Sequence, residues 1–128
     1  MAKLKSFEVK MVGPVALIQP RETEIVRRNL INDLADDLIE YVEQDKPLQV
    51  VLTLKRVTRY SSEAIGGLIR VERRVRALGG RVKLCMNHEL RELFQVTRLD
   101  GTLFEIYESE SEAVASFFEK GRDIFSGS

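Results

Sequence analysis

The stretch "RYSSEAIGG", residues 59–67, places two adjacent serines between a run of strand character and a run of helix character. A hydroxyl at such a junction has two uses. It can accept a hydrogen bond from a free amide in the first helical turn, worth about 1 kcal/mol relative to alanine. It can also take a phosphoryl group, because the unpaired N–H groups and positive dipole end of a helix start tolerate added negative charge without unfolding. One serine suffices as a cap, so Ser61 and Ser62 leave one hydroxyl over, next to the further negative charge of Glu63. A binding switch at an exposed corner is the chemistry this pair permits.

The other reactive residue types lack company. His88 in "CMNHEL" is the only histidine and reads as a loop or helix-start residue, and Cys85, the only cysteine, sits in an apolar strand as a small core residue. With one of each, no transition-metal site of the usual ligand types can be assembled. No G-x-S-x-G elbow places either serine as a hydrolase nucleophile, and neither glycine-rich phosphate-loop pattern occurs. No catalytic set, metal or cofactor is therefore expected. Arg70, Arg73, Arg74 and Arg76 cluster on one predicted helix, and Arg73, Arg76 and Glu72 are expected on its solvated outer surface. The carboxylates of Asp33, Asp36, Asp37 and Glu40 are spaced for the wet face of the helix before it.

The elements that position the serines follow from hydrophobic period. Phe7, Val9 and Met11 alternate with polar residues, Gly13-Pro14 supplies a turn, and Val15 to Ile18 returns, which predicts a hairpin. From about Glu22 to Gln44, Ile31, Leu34, Leu38 and Tyr41 recur at helical spacing until Pro47 breaks the pattern. "LQVVLTL", 48–54, is apolar at nearly every position, as a strand covered on both faces must be. A second helix, about Ser62 to Leu78, carries the stripe Ile65, Leu68, Val71, Val75 and Leu78 and stops at Gly79-Gly80. "RVKLCM" (81–86) is an interior strand, "ELRELFQV" a short helix with Leu90, Leu93 and Phe94 inward, and "GTLFEIY" a late strand. The final helix, "SESEAVASFFEKG", opens with a Ser109–Glu112 capping box, and a frayed tail follows from about residue 121. The order β-β-α-β-α-β-α-β-α defines an α/β single domain over 1–128, with a small mixed sheet made of an opening hairpin and parallel crossovers and packed with about four helices. Gly66 and Gly67 inside the second helix each cost roughly 1 kcal/mol, which close approach of another backbone or of a partner surface normally offsets.

Composition narrows the class. The chain has 128 residues and 44% hydrophobic content, a normal level for a globular domain. Twenty Lys+Arg balance 20 Asp+Glu, so no general affinity for nucleic acid or anionic membrane is implied. No apolar stretch approaches the roughly 20 residues that span a bilayer, and "MAKLKSFEVK" lacks the apolar run of a secretory signal. The expected location is cytoplasmic.

From Val50 to Gly80, "VVLTLKRVTRYSSEAIGGLIRVERRVRALGG" resembles the STAS domain of bacterial anti-sigma factor antagonists. That family has an apolar strand, a motif like D-S-[ST]-G-L-G, a helix ending in G-G, and a strand often containing cysteine. Without gaps, Ala64-Ile65-Gly66 falls on G-L-G, Ser62 on the serine the family phosphorylates, and Ser61 on the preceding aspartate. The likeness extends over about residues 48–118. The sequence departs from the pattern at Ser61, at Glu63 in place of a second hydroxyl, and at "QPRETE" in place of G-x-[IL]-D. A register one residue away makes Ser61 the acceptor and Tyr60 the aspartate equivalent, but loses the glycine match. The resemblance implies a non-enzymatic regulator that binds a serine-kinase anti-sigma factor and is released by phosphorylation. Ser62 is then the acceptor, with Arg59, Tyr60, Ser61, Glu63 and Gly66 bordering the contact, and ATP and magnesium belong to the kinase. A constitutive interaction or scaffold module on the same fold is the alternative. Oligomeric state, partner and signal are left open.

Overall fold

The computed structural model describes residues 6–96 and 104–118. Its central sheet has five strands, β1 (Phe7–Val12), β2 (Val15–Pro20), β4 (Gln49–Thr53), β6 (Arg81–Cys85) and β7 (Glu105–Tyr107), in the order β1-β2-β4-β6-β7. β1 and β2 pair antiparallel through Val12 and Val15, leaving Gly13-Pro14 as the hairpin turn with Gly13 at φ 59°. The remaining neighbours are parallel, joined by α1 (Arg28–Asp45), α2 (Ser62–Ala77) and α3 (His88–Val96); α4 (Glu110–Ser116) follows β7. The expected mixed sheet with four helices is what forms. The frayed tail lies outside the described residues, as do the first three residues of "GTLFEIY" and the end of the last helical run.

Strand alternation sorts side chains between two layers. Ile18, Val50, Leu52, Val82 and Leu84 face the layer built by α1, α2 and α3. Val15, Val51 and Cys85 point the other way, onto Ala113 of α4 and Phe117 just beyond it. Between the sheet and α4 two polar contacts replace apolar ones: Thr53 donates to Glu110 at 2.7 Å, and Lys83 donates to Ser116 at 2.8 Å. Such pairing is required because a buried polar group without a partner costs a few kcal/mol.

α1 and α2 run side by side in the same direction. Three exposed ion pairs mark this along their length: Arg28–Glu63 (3.0 Å), Arg70–Asp36 (2.9 Å) and Arg74–Glu43 (2.6 Å). Each is worth at most about 1 kcal/mol, so they set alignment while the apolar seam between the helices supplies the stability. Gly67 belongs to that seam: a Cβ there would lie 3.5 Å from both Ala35 and Ile31.

Two expectations need correction. The helix read from Glu22 begins at Arg28, because residues 24–25 form a short strand, β3 (Glu24–Ile25), paired parallel with β5 (Arg59–Tyr60). Ile25, 1% exposed, belongs to the core from this extended segment and not from a helical turn. Glu72 was expected on the outer surface of α2, yet its side chain is 2% exposed beneath Arg76, which it contacts at 2.6 Å. Its position four residues after Leu68 and three before Val75 places it on the buried stripe.

The two glycines of the turn from α2 into β6 are required for different reasons. Gly79 adopts φ 92°, and Gly80 donates to the Val75 carbonyl in a helix-ending bond. A Cβ on Gly80 would sit 2.7 Å from the Leu48 carbonyl oxygen, closer than real Cβ contacts come. Gly80→Ala is expected to lower unfolding free energy by about 1–3 kcal/mol, read as a reduced urea midpoint; an unchanged midpoint would show that the β4–β6 entry yields to a methyl group without strain.

Candidate functional site

The candidate site is the corner where the chain leaves β4, forms β5 and enters α2. Its backbone is fixed by bonds to the β3 segment: Thr58 donates to the Thr23 carbonyl at 2.7 Å and Ser61 to the Ile25 carbonyl at 3.2 Å. Val57, 6% exposed, pins the preceding loop to the core. Tyr60 then turns inward, its ring stacked on Phe94 of α3 with centroids 6.3 Å apart, and its hydroxyl donates to the Ala64 carbonyl at 3.1 Å. Burial raises the Tyr60 phenol well above its ordinary value, so it remains a neutral donor. Of the residues expected to border a contact, Tyr60 is thus the one held by the core; it positions its neighbours.

The two serines have different tasks. Ser61 is the N-cap of α2, at φ −85° and ψ 159°, and its Oγ accepts from the Ala64 amide at 3.3 Å. Ser62 is the first helical residue; it is exposed, and its hydroxyl has no partner among the described residues. Glu63 and Gly66 are exposed on the same opening turns, and Arg59 is exposed beside them, 3.9 Å from Glu24. A Cβ on Gly66 would meet nothing within 4 Å, so no packing among the described residues accounts for that glycine. The pair Gly66-Gly67 therefore divides: one glycine serves the α1–α2 seam, the other opens onto solvent.

Arg28, which sequence reasoning did not single out, also belongs to the corner. Its guanidinium donates to Glu63 at 3.0 Å from the first residue of α1. Only folding brings it across the 35 positions that separate it from Glu63, and no local pattern announces it.

The remaining reactive residues fall elsewhere. Cys85 is fully buried, and burial pushes its thiol up against the opposing effect of a hydrogen bond with Thr53, which keeps it protonated and inert. His88 starts α3, exposed, with Nδ1 3.4 Å from Glu108 and Nε2 3.1 Å from Glu92. The hydrogen bond with Glu108 and the charge of Glu92 raise its pKa. Among the described residues, no group of three His, Cys, Asp or Glu side chains is placed to hold a metal ion, and no helix is long and apolar enough to cross a membrane.

With this geometry in place, comparison with known proteins assigns the chain to a class. Residues 29–113 match the model of the STAS domain, and the chain belongs to that family. Solved structures with the same fold include a protein of Thermotoga maritima described as a candidate anti-sigma factor antagonist. It has 20% identity and a TM-score of 0.75, with 86% of this chain and 92% of that one covered. An anti-sigma-factor antagonist (STAS) domain protein of Planctomyces limnophilus gives 22% identity, a TM-score of 0.74, and 89% and 98% coverage. The Bacillus cell fate determinant SpoIIAA in its phosphorylated form gives 18% identity, a TM-score of 0.63, and 87% and 98% coverage. Comparison with proteins of curated function yields no match. The protein is a STAS domain whose fold is that of proteins described as anti-sigma factor antagonists.

Two measurements test this local account. Ser61→Ala is expected to cost about 1 kcal/mol of stability through loss of the cap, whereas Ser62→Ala stays within about 0.5 kcal/mol of wild type; equal losses in chemical denaturation would contradict the division of roles. His88 has a raised pKa in the folded state, so its stabilisation is fully present below its unfolded value near 6.5 and fades as pH rises through the higher folded value. Accordingly, the melting temperature of wild type should exceed that of His88→Gln at pH 5.5–6 (about half a unit or more below the ordinary histidine value) and converge with it in mildly alkaline buffer. A gap that widens with pH would refute the assignment.

Proposed function

We propose that the protein is a non-enzymatic, cytoplasmic partner-switching regulator: an anti-sigma factor antagonist that docks on a serine-kinase anti-sigma factor and is released when Ser62 is phosphorylated. The observation that carries this reading is the exposed, uncommitted hydroxyl of Ser62 at the first position of α2, beside a second serine already used as the cap. In the transfer, the Ser62 Oγ forms a bond to the γ-phosphorus of ATP while the bond to ADP breaks, and the hydroxyl proton passes to a base on the kinase. ATP and magnesium are the partner's. The product adds nearly two negative charges next to free helix-end amides, so the fold accepts it. At the docking face the same charge stands beside Glu63 and opposes an acidic or tightly packed partner surface.

Arg59, Glu63 and Gly66 form the rest of the contact, with Ser61 and Tyr60 holding the corner in shape. Gly66 supports this role because a side chain there has open space in the free protein and meets an obstacle only when a partner covers it. A second reading, a constitutive interaction module, is favoured by Glu63, which already puts a permanent negative charge at the turn where the family has a hydroxyl.

Incubation with a cognate serine-kinase anti-sigma factor and ATP, followed by mass spectrometry, should add one phosphoryl group to wild type and none to Ser62→Ala. Ser62→Asp and Gly66→Arg should each weaken the complex at least tenfold, about 1.4 kcal/mol, while leaving the melting temperature near wild type. Labelling of Ser62→Ala at the wild-type level would refute Ser62 as the acceptor. Unchanged affinity of Ser62→Asp would favour the constitutive module.

A further inference from the structure

At the far end of α2 from Ser62, roughly 20 Å along the helix at 1.5 Å per residue, an open cavity of about 910 Å³ lies between the starts of β4 and β6. Among the described residues, four cationic side chains line it, Lys46, Arg76, Arg81 and Lys83, against a single carboxylate, Glu105. The whole chain is neutral by formal charge, so this concentration of positive charge is local and not a reflection of composition.

Part of the cluster has a structural cause. The C-terminal ends of α1 and α2 open here, and each attracts a cation, Lys46 and Arg76 respectively. Lys46 donates to the Glu43 carbonyl at 3.0 Å, and Arg76 contacts buried Glu72 at 2.6 Å. The two cations on β6 are not explained this way. Arg81 and Lys83 share one carboxylate, at 3.6 Å and 3.3 Å from Glu105. Glu105 is in turn held ionised: burial works against it, but the Tyr107 hydroxyl, Lys83 and Arg81 outweigh burial and lower its pKa.

Lys83 is the unusual member. The residue is 6% exposed, on the sheet face it shares with Val51 and Cys85, and its ammonium lies 4.3 Å from the Phe117 ring centroid and 2.8 Å from Ser116. Withdrawing an ammonium from water costs several kcal/mol before pairing; Ser116, Phe117 and Glu105 offset that cost, but Glu105 also serves Arg81, so the two β6 cations share one counter-charge. Beside these cations the wall turns apolar through Pro14, Pro47 and Leu48, and Leu48 is left 51% exposed.

We propose that this cavity is a binding site for a small organic phosphate, its phosphate held by Arg76, Arg81 and Lys83 and its apolar body laid against Pro47 and Leu48. Guanidinium groups match phosphate oxygens two at a time, and a buried ammonium adds a fixed point charge. The volume falls within the range of small-molecule sites. The site is separate from the Ser62 corner, and neither proposal needs the other.

The test uses the full chain with inorganic phosphate and with phenyl phosphate as probes, followed by amide NMR shifts. Phenyl phosphate should move resonances of residues 79–83 and Leu48, bind several-fold more tightly than inorganic phosphate, and weaken as salt is raised. Arg81→Glu, a change at a side chain 62% exposed and so harmless to the core, should reduce its affinity at least tenfold; Ser62→Asp should leave it unaltered. No shifts at millimolar probe, shifts confined to other surfaces, equal binding of the two probes, or full binding by Arg81→Glu would each overturn the assignment.

Discussion

Strand β4 has no solvent-facing side, and that constraint organises the molecule. Val50, Val51, Leu52 and Thr53 are all buried, so the strand needs a layer of helices on each face. α1 and α2, carried by the parallel crossovers, cover one face, and α4, which follows the last strand, covers the other. Once β4 is so enclosed, the chain can reach solvent only at its ends. One end delivers the serine corner and the start of α2. The other delivers the tight β4–β6 entry where Gly80 lies against Leu48. Both surfaces of chemical interest are therefore consequences of burying one strand.

The serine corner owes its shape to a small second sheet. β3 and β5 contribute only two residues each, yet their pairing and the flanking bonds from Thr58 and Ser61 fix where α2 begins. Tyr60 closes the arrangement from inside through Phe94 and the Ala64 carbonyl. Such a corner can present a hydroxyl in one orientation without spending a loop's conformational entropy at each encounter, because folding has already ordered it.

Much of this was legible in the sequence, and the failures have physical causes. The strand runs at 48–54 and 81–86, the hairpin turn at Gly13-Pro14, and the serine cap of α2 carry their own local signals of β-branching, glycine at positive φ, and a hydroxyl before an apolar stripe. The family resemblance likewise rested on a contiguous motif. The β3–β5 sheet was invisible because two residues are too few to show a period, and Ile25 lies close enough to the α1 stripe to mimic a helical position. The charge of Glu72 points to solvent and its position on the stripe points to the core; in the fold the position prevails, with Arg76 shielding the carboxylate. Arg28 had no signal at all: it reaches the site through the alignment of α1 with α2, which is decided by packing. Gly66 and Gly67 are indistinguishable as letters; only the neighbouring helix tells the seam glycine from the open one.

The departures from the family motif compensate one another at this corner. Where the motif has an aspartate as the residue before the serine, Ser61 keeps the capping acceptor but drops its charge. Where the motif has a second hydroxyl, Glu63 restores a carboxylate within the first turn, still near the positive end of the helix dipole. The negative charge has moved two positions along the chain and has gained a counter-ion, since Arg28 reaches Glu63 and ties the beginnings of both helices together. Helix α2 thus keeps both of its N-terminal supports, a side-chain cap and a stabilising acidic group, while Ser62 between them stays free of either duty. Letter by letter the corner departs from the motif, but the two forces that start α2, a side-chain cap and a first-turn carboxylate, are both present.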